Sequence, residues 1–105
     1  MANYLLAYHG GGMPATPEEQ AQVMAAWCKW YENLGAAIVD GGNPVGQART
    51  IATDGSVSDG GGSSPVTGYT IIQADSIDAA VELAKGCPIL DSGGSVEVGE
   101  TFDVM

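Results

Sequence analysis

Positive charge is what this chain has least of. Over 105 residues it carries two lysines and one arginine against thirteen acids, a formal net charge of −10. Charged residues are 15% of the whole, against about 25% in typical globular proteins, so the acidity reflects missing cations more than abundant acids. Three cations cannot neutralise the several phosphates of a nucleic-acid site, and they offer no polybasic patch for a membrane surface. No apolar run approaches the ~20 residues of a membrane-spanning helix. No basic segment followed by an apolar one opens the chain, so a secretory signal is not expected. Cysteine is also scarce. Two residues, Cys28 and Cys87, do not make the framework of a small secreted domain, and a reduced, cytoplasmic protein is expected. Cys28 falls mid-helix and reads as a small buried apolar residue. Cys87, between Gly86 and Pro88, is not read as a nucleophile. Histidine occurs once, as His9.

Apolar residues make up 45% of the chain and glycines number 16, so a folded domain with many connectors is expected. The length suits a single domain spanning 1–105. Asn3 to His9 is a nearly continuous apolar strand, with Tyr4, Leu6 and Tyr8 on one face and Leu5, Ala7 and His9 on the other. Gly10-Gly11-Gly12 ends it. Thr16, Pro17 and Glu19 are placed as N-cap, first helical residue and capping-box carboxylate. The stripe Val23, Trp27, Trp30, Tyr31 and Leu34 has helical spacing, and its tryptophans read as core or dimer contacts. Gly35 closes this helix.

Residues 36–39 read as a strand, 41–44 as a bend, and 48–53 with 56–59 as a hairpin turned at Asp54-Gly55. Gly60 to Pro65 is a flexible loop. Val66 to Gln73, rich in β-branched residues, is the most definite strand. A second helix begins at Asp75 or Ser76, buries Ile77, Ala80, Val81 and Ala84, and stops at Gly86 and Pro88. Ser95 to Val98 is the last strand. This order gives an α+β fold, a ferredoxin-like split βαβ with an inserted hairpin. Its sheet carries helices on one face only, yet the first strand is apolar on both. A second copy packed sheet to sheet, a homodimer, removes the exposed face.

The segments Tyr4-Leu5-Leu6, Trp30-Tyr31-Glu32-Asn33-Leu34-Gly35, Val57-Ser58-Asp59-Gly60, Gly68-Tyr69-Thr70-Ile71-Ile72, Gly86-Cys87-Pro88 and Gly94-Ser95-Val96-Glu97-Val98, in this order, resemble the YCII-related family. Within it the chain is similar to the branch named for an Asp-Gly-Pro-Phe motif. The resemblance implies a bacterial, cytoplasmic protein with a ferredoxin-like subunit that forms a dimeric α/β barrel. Relatives in that superfamily hold small, often aromatic, molecules between sheet and helices, and YCII proteins proper are suspected of acid–base chemistry from a histidine–aspartate pair. The chain departs from the pattern where Gly61-Gly62 replace Pro-Phe, where Gly99 replaces an arginine, and where Met24 aligns with a first-helix histidine.

His9 is the candidate general acid or base, with Asp40 and Asp59, at strand ends, as candidate catalytic partners. A lone histidine is more often structural, and Asp59 before Gly60 is also a good turn residue. Tyr8 and Tyr69 are the candidate ligand-binding residues, on adjacent strands, although core packing is the commoner use of tyrosine. No metal-ligand spacing, phosphate loop or dinucleotide fingerprint is present, and no cofactor is expected. The function expected is a dimer binding a small apolar metabolite between sheet and helices. The alternatives are an isomerase- or lyase-like enzyme using His9 and an aspartate, and a non-catalytic interaction or regulatory module.

Overall fold

A computed structural model of the chain describes residues 2–11, 15–62 and 64–103. Gly12 of the first glycine cluster and Ser63 of the loop before the long strand lie outside the described residues. The elements run β1 (Ala2–His9), α1 (Pro17–Leu34), β2 (Ile38–Asp40), β3 (Arg49–Ile51), β4 (Val57–Asp59), β5 (Val66–Ala74), α2 (Ile77–Ala84) and β6 (Ser95–Thr101). Two 3₁₀ turns, Gly35–Ala37 and Pro88–Ser92, follow the helices. The first takes residues expected in a strand; the second was not anticipated.

The main sheet has the order β2-β5-β1-β6, and every pairing is antiparallel. β3 and β4 form a separate hairpin. This is the ferredoxin-like plan with the inserted hairpin that the order of elements predicts. Alternation along β1 decides the layers. Tyr4, Leu6 and Tyr8 are buried and pack with Ile72 and Ala74 of β5 and with Trp30, Leu34, Ala80 and Ala84 of the helices. Register places Leu6 opposite Val98 and Tyr8 opposite Val96, so β6 adds its valines to the same layer.

The helix ends follow local chemistry. The Thr16 hydroxyl accepts from the Glu19 amide at 3.1 Å, and the Glu19 carboxylate accepts from the Ala15 amide at 3.0 Å. The first bond satisfies a donor that the first turn leaves free, and the second holds the residue before the cap, Ala15, where the expected capping box has the N-cap amide. Ser76 caps α2 by accepting from the Ala79 amide at 3.1 Å. Trp30 packs on Gly86 and donates its indole N–H to the Leu83 carbonyl at 3.1 Å, which ties α1 to the end of α2.

The predicted stripe of α1 is present but unevenly buried. Trp30 and Leu34 are in the core, whereas Val23, Trp27 and Tyr31 are half-buried. Cys28, expected to be buried, is exposed. The C-terminal half of the helix is seated on the sheet and the N-terminal half overhangs it. In α2, Ala80 and Ala84 are buried as expected, but Ile77 is exposed.

Candidate functional site

The space under the overhang of α1 is a cavity of about 570 Å³. That volume lies within the range of small-molecule sites. Helix α1 supplies one wall through Val23, Met24, Trp27 and Tyr31, with Gln20 and Cys28 at its margin. The sheet supplies Tyr8 and the stretch Thr67-Gly68-Tyr69, and Ile89 closes one end. Among the described residues, no charged side chain lines it.

The rim opposite α1 is the bend Gly42-Asn43-Pro44. It continues β2 along β5: Val45 donates to the Thr67 carbonyl at 2.9 Å, Tyr69 donates to the Asn43 carbonyl at 3.3 Å, and Pro44 bridges to Gly68. Gly42 has φ +74°, and a Cβ there would overlap the Tyr69 carbonyl oxygen. Only glycine permits this approach of rim to strand. Gly68 has a second role. It stands opposite Tyr8 in register, and its missing side chain leaves room for the Tyr8 ring.

An aromatic cluster walls the cavity. Tyr8 and Trp27 meet edge to face with ring centres 5.3 Å apart, and Trp27 lies 5.6 Å from Trp30 and 6.0 Å from Tyr31. The first two pairs are edge to face, an attractive arrangement for aromatic quadrupoles. The polar tips are tied together behind the rings. Tyr8 donates to the Thr70 hydroxyl at 2.6 Å, Thr70 donates to the Gly41 carbonyl at 3.2 Å, and Tyr31 donates to the same carbonyl at 3.1 Å. Thr70 is fully buried, so this network satisfies the buried polar side chain of the core. Burial, with the Thr70 hydrogen bond opposing it, holds the Tyr8 hydroxyl well above the ordinary tyrosine range. Burial also pushes the neighbouring Cys87 thiol up to about 11, which leaves it protonated and unreactive near neutrality.

Of the two tyrosines expected to serve a ligand, Tyr8 contributes its side chain to the cavity. Tyr69 is on the lining too, but the alternation of β5 turns Gly68 and Thr70 toward α1 and the Tyr69 ring to the opposite face. What Tyr69 brings to the cavity is backbone. The α1 residues Met24, Trp27 and Tyr31 were not singled out as ligand-binding. For Trp27 and Tyr31 the signal was available, because both are on the predicted inner stripe; Met24 was not part of it.

His9 is not on the cavity lining. Its Nδ1 lies 2.9 Å from the Ser64 carbonyl and its Nε2 lies 3.2 Å from Glu97 Oε1. Both partners are acceptors, so the ring serves the two together only as an imidazolium. Asp40 accepts from the Gly42 amide at 2.9 Å, within its own bend. Asp59 is exposed on the hairpin, 4.0 Å from Arg49. The hydrogen bonds of the described residues therefore give His9 a glutamate, at register distance across β1 and β6, and bring neither expected aspartate to it. Among the described residues, no three histidine, cysteine, aspartate or glutamate side chains are grouped so as to hold a metal ion. No helix is long and apolar enough to cross a membrane.

Four antiparallel strands in this order, with both helices on one face, define a ferredoxin-like α+β domain of the kind found in dimeric α/β barrels. The chain belongs to the YCII-related domain family, whose sequence model matches residues 4–103. Among solved structures it is similar to 5-chloro-2-hydroxyhydroquinone dehydrochlorinase from Burkholderia phenoliruptrix AC1100, in complex with 2,5-dihydroxybenzoquinone. That likeness has a TM-score of 0.56 at 20% identity and covers 96% of this chain and 93% of the other. At that identity it establishes the fold. No curated protein matches the sequence significantly.

Proposed function

We propose that this protein is a homodimer that binds a small, mostly apolar molecule in the cavity between α1 and the sheet. The observation that carries the reading is the cavity itself: about 570 Å³, walled by Tyr8, Trp27 and Tyr31, with no charged side chain among the described residues that line it. Aromatic walls with few polar groups are typical of small-molecule sites. The scarcity of cations in the whole chain argues against an anionic ligand. A dimer follows from the opposite face of the sheet, where Leu5, Ala7, Tyr69 and Ile71 lie together and are only half-covered or exposed. Two such faces packed together bury each other. The two free thiols fit a reducing, cytoplasmic setting.

The test is a thermal-shift screen with small neutral ring compounds, followed by calorimetry on those that stabilise. Stabilisation that Trp27→Ala abolishes supports the cavity as the site. If no small molecule raises the melting temperature, the binding reading fails and a non-catalytic interaction module takes its place.

A second reading has one observation in its favour, the His9–Glu97 pair. A histidine oriented by a carboxylate is suited to proton transfer, and the role first assigned to Asp40 or Asp59 then passes to Glu97. The structural neighbour is a dehydrochlorinase, which is compatible with such chemistry. Exchange of a ligand C–H proton in D₂O, followed by NMR and lost in His9→Gln, is the expected result. Equal exchange in His9→Gln removes this reading.

A further inference from the structure

The β3–β4 hairpin has two unlike faces. Register sets Arg49 opposite Asp59, Thr50 opposite Ser58 and Ile51 opposite Val57. Directly paired residues share a face, and the next pair along takes the other. One face therefore carries Ile51, Val57 and the Arg49–Asp59 pair, and the other carries Thr50 and Ser58. Alternation of this kind belongs to a sheet that is covered on one side. Yet Ile51 is 73% exposed and Val57 is 59% exposed. Among the described residues, the hydrogen bonds made by residues 48–60 stay within that segment. A lone two-stranded hairpin is marginal in water. The molecule is also extended for its length: its radius of gyration is 15.1 Å, where a compact chain of 100 residues has about 13 Å.

Three observations point to a second copy of this chain as the missing cover. Each copy carries a net charge of −10, so two copies approach only through surfaces with little of that charge. Residues 41–58 hold one arginine and one aspartate and have no net charge. The hairpin is also rooted at the rim of the outer sheet face. Glu97 stands opposite Ala7 on that face, and the His9 ring that reaches Glu97 also meets the carbonyl of Ser64, in the connection from the hairpin to β5. The hairpin is thus continuous with the apolar face that the dimer reading covers. Finally, two side chains are a small fraction of a stable interface, so they extend one rather than form their own.

We propose that the β3–β4 hairpin is a dimerisation arm whose Ile51–Val57 face closes on the second copy. The proposal rests on the dimer reading and adds a contact beyond the packing of the two outer faces. Two-fold symmetry uses both arms, so a substitution in the arm is felt twice.

Sedimentation analysis of the full chain reads the dimer dissociation constant in the natural protein and in a double variant, Ile51→Thr with Val57→Thr. Threonine keeps the β-branch, so the hairpin keeps its strand propensity while its apolar pair is lost. The dissociation constant is expected to rise at least about tenfold, with the circular dichroism unchanged. Hydrogen exchange of residues 49–59 in the natural protein supplies a second measurement that needs no variant. Protection is expected well above the dissociation constant and its loss well below it, while β1 and β5 stay protected at both. A dissociation constant that the double variant leaves unchanged overturns the arm and leaves the dimer intact. Hairpin protection that is the same in dimer and monomer also overturns the arm. A natural protein that is monomeric at every concentration overturns the dimer reading, and the arm with it. Should the double variant not fold, exchange in the natural protein still decides the matter.

Discussion

The two faces of one sheet meet different fates. On the inner face Leu6, Thr70 and Ile72 are fully buried beneath two helices. On the outer face, Leu5, one residue along β1 from Leu6, is 37% exposed, and Val39 of β2 is 49% exposed. The side chains are similar in kind, so composition does not separate the faces. What separates them is supply. Among the described residues there are two helices, both packed on the inner face, while Leu5, Ala7, Tyr69 and Ile71 of the outer face stay half-buried or exposed. The inner face is itself uneven, tight beneath the second half of α1 and open beneath the first. A small domain that leaves one face half-covered and hollows the other has room for a partner on one side and a ligand on the other.

The contrast has consequences of graded size. Leu6→Ala creates a void in the inner core and is expected to cost about 2–5 kcal/mol of unfolding free energy in urea titration. Leu5→Ala, its neighbour on the outer face, is expected to cost much less at concentrations where the chain is monomeric. Equal losses would break the distinction between the faces. Ile71→Glu places a charge opposite Leu5 in the centre of the outer face. Light scattering is expected to show half the mass of the natural protein, with the circular dichroism unchanged. A natural protein that is already monomeric at micromolar concentration removes the dimer argument.

A smaller effect is expected from Tyr8→Phe. It deletes the 2.6 Å hydrogen bond to Thr70 but keeps the ring, and Thr70 retains its own bond to Gly41. The expected loss is about 1 kcal/mol. A loss as large as that of Leu6→Ala would mean that the network, rather than apolar packing, holds the inner face.

The smallest effect lies outside both faces, in the β3–β4 hairpin. Ser56 donates to the Asp54 carboxylate from its hydroxyl at 2.7 Å and from its amide at 2.9 Å, and these bonds hold Asp54 below its ordinary value. A depressed carboxylate contributes stability above its unfolded pKa, about 3.9, and loses it as pH falls through the lower folded value. Protection factors of the amides in residues 49–59, corrected for the intrinsic pH dependence of exchange, are therefore expected to fall below about pH 4 while those of β1 and β5 hold. Asp54→Ala is expected to remove this pH dependence. If the hairpin and the main sheet lose protection together, the hairpin is part of the core's cooperative unit.

Much of this was legible in the chain. The caps of both helices, the Asp54-Gly55 turn and the two-sided strand β1 are local features, set by residues within a few positions of one another. The stripe of α1 was legible too, but not how far along its length the sheet would follow it. Cys28 shows the limit. Its place in the helix was right, and its exposure was decided by a sheet that stops short of the first half of α1. Tyr69 shows a different one. Its strand was right, but a strand offers side chain to one face and backbone to the other, and the cavity receives the backbone. His9 was rightly set at the end of β1, while Glu97, 88 residues away, reaches it only through the pairing of β1 with β6.

The sequence alone determined most of the elements and their order, because periodicity and capping residues are properties of the chain as written. The cavity, the His9–Glu97 pair and the hydrogen bonds of the tyrosines were decided only by tertiary structure. Each depends on groups far apart in the chain meeting at distances of a few ångströms, and on which strand face a helix covers. Neither is encoded in any one segment.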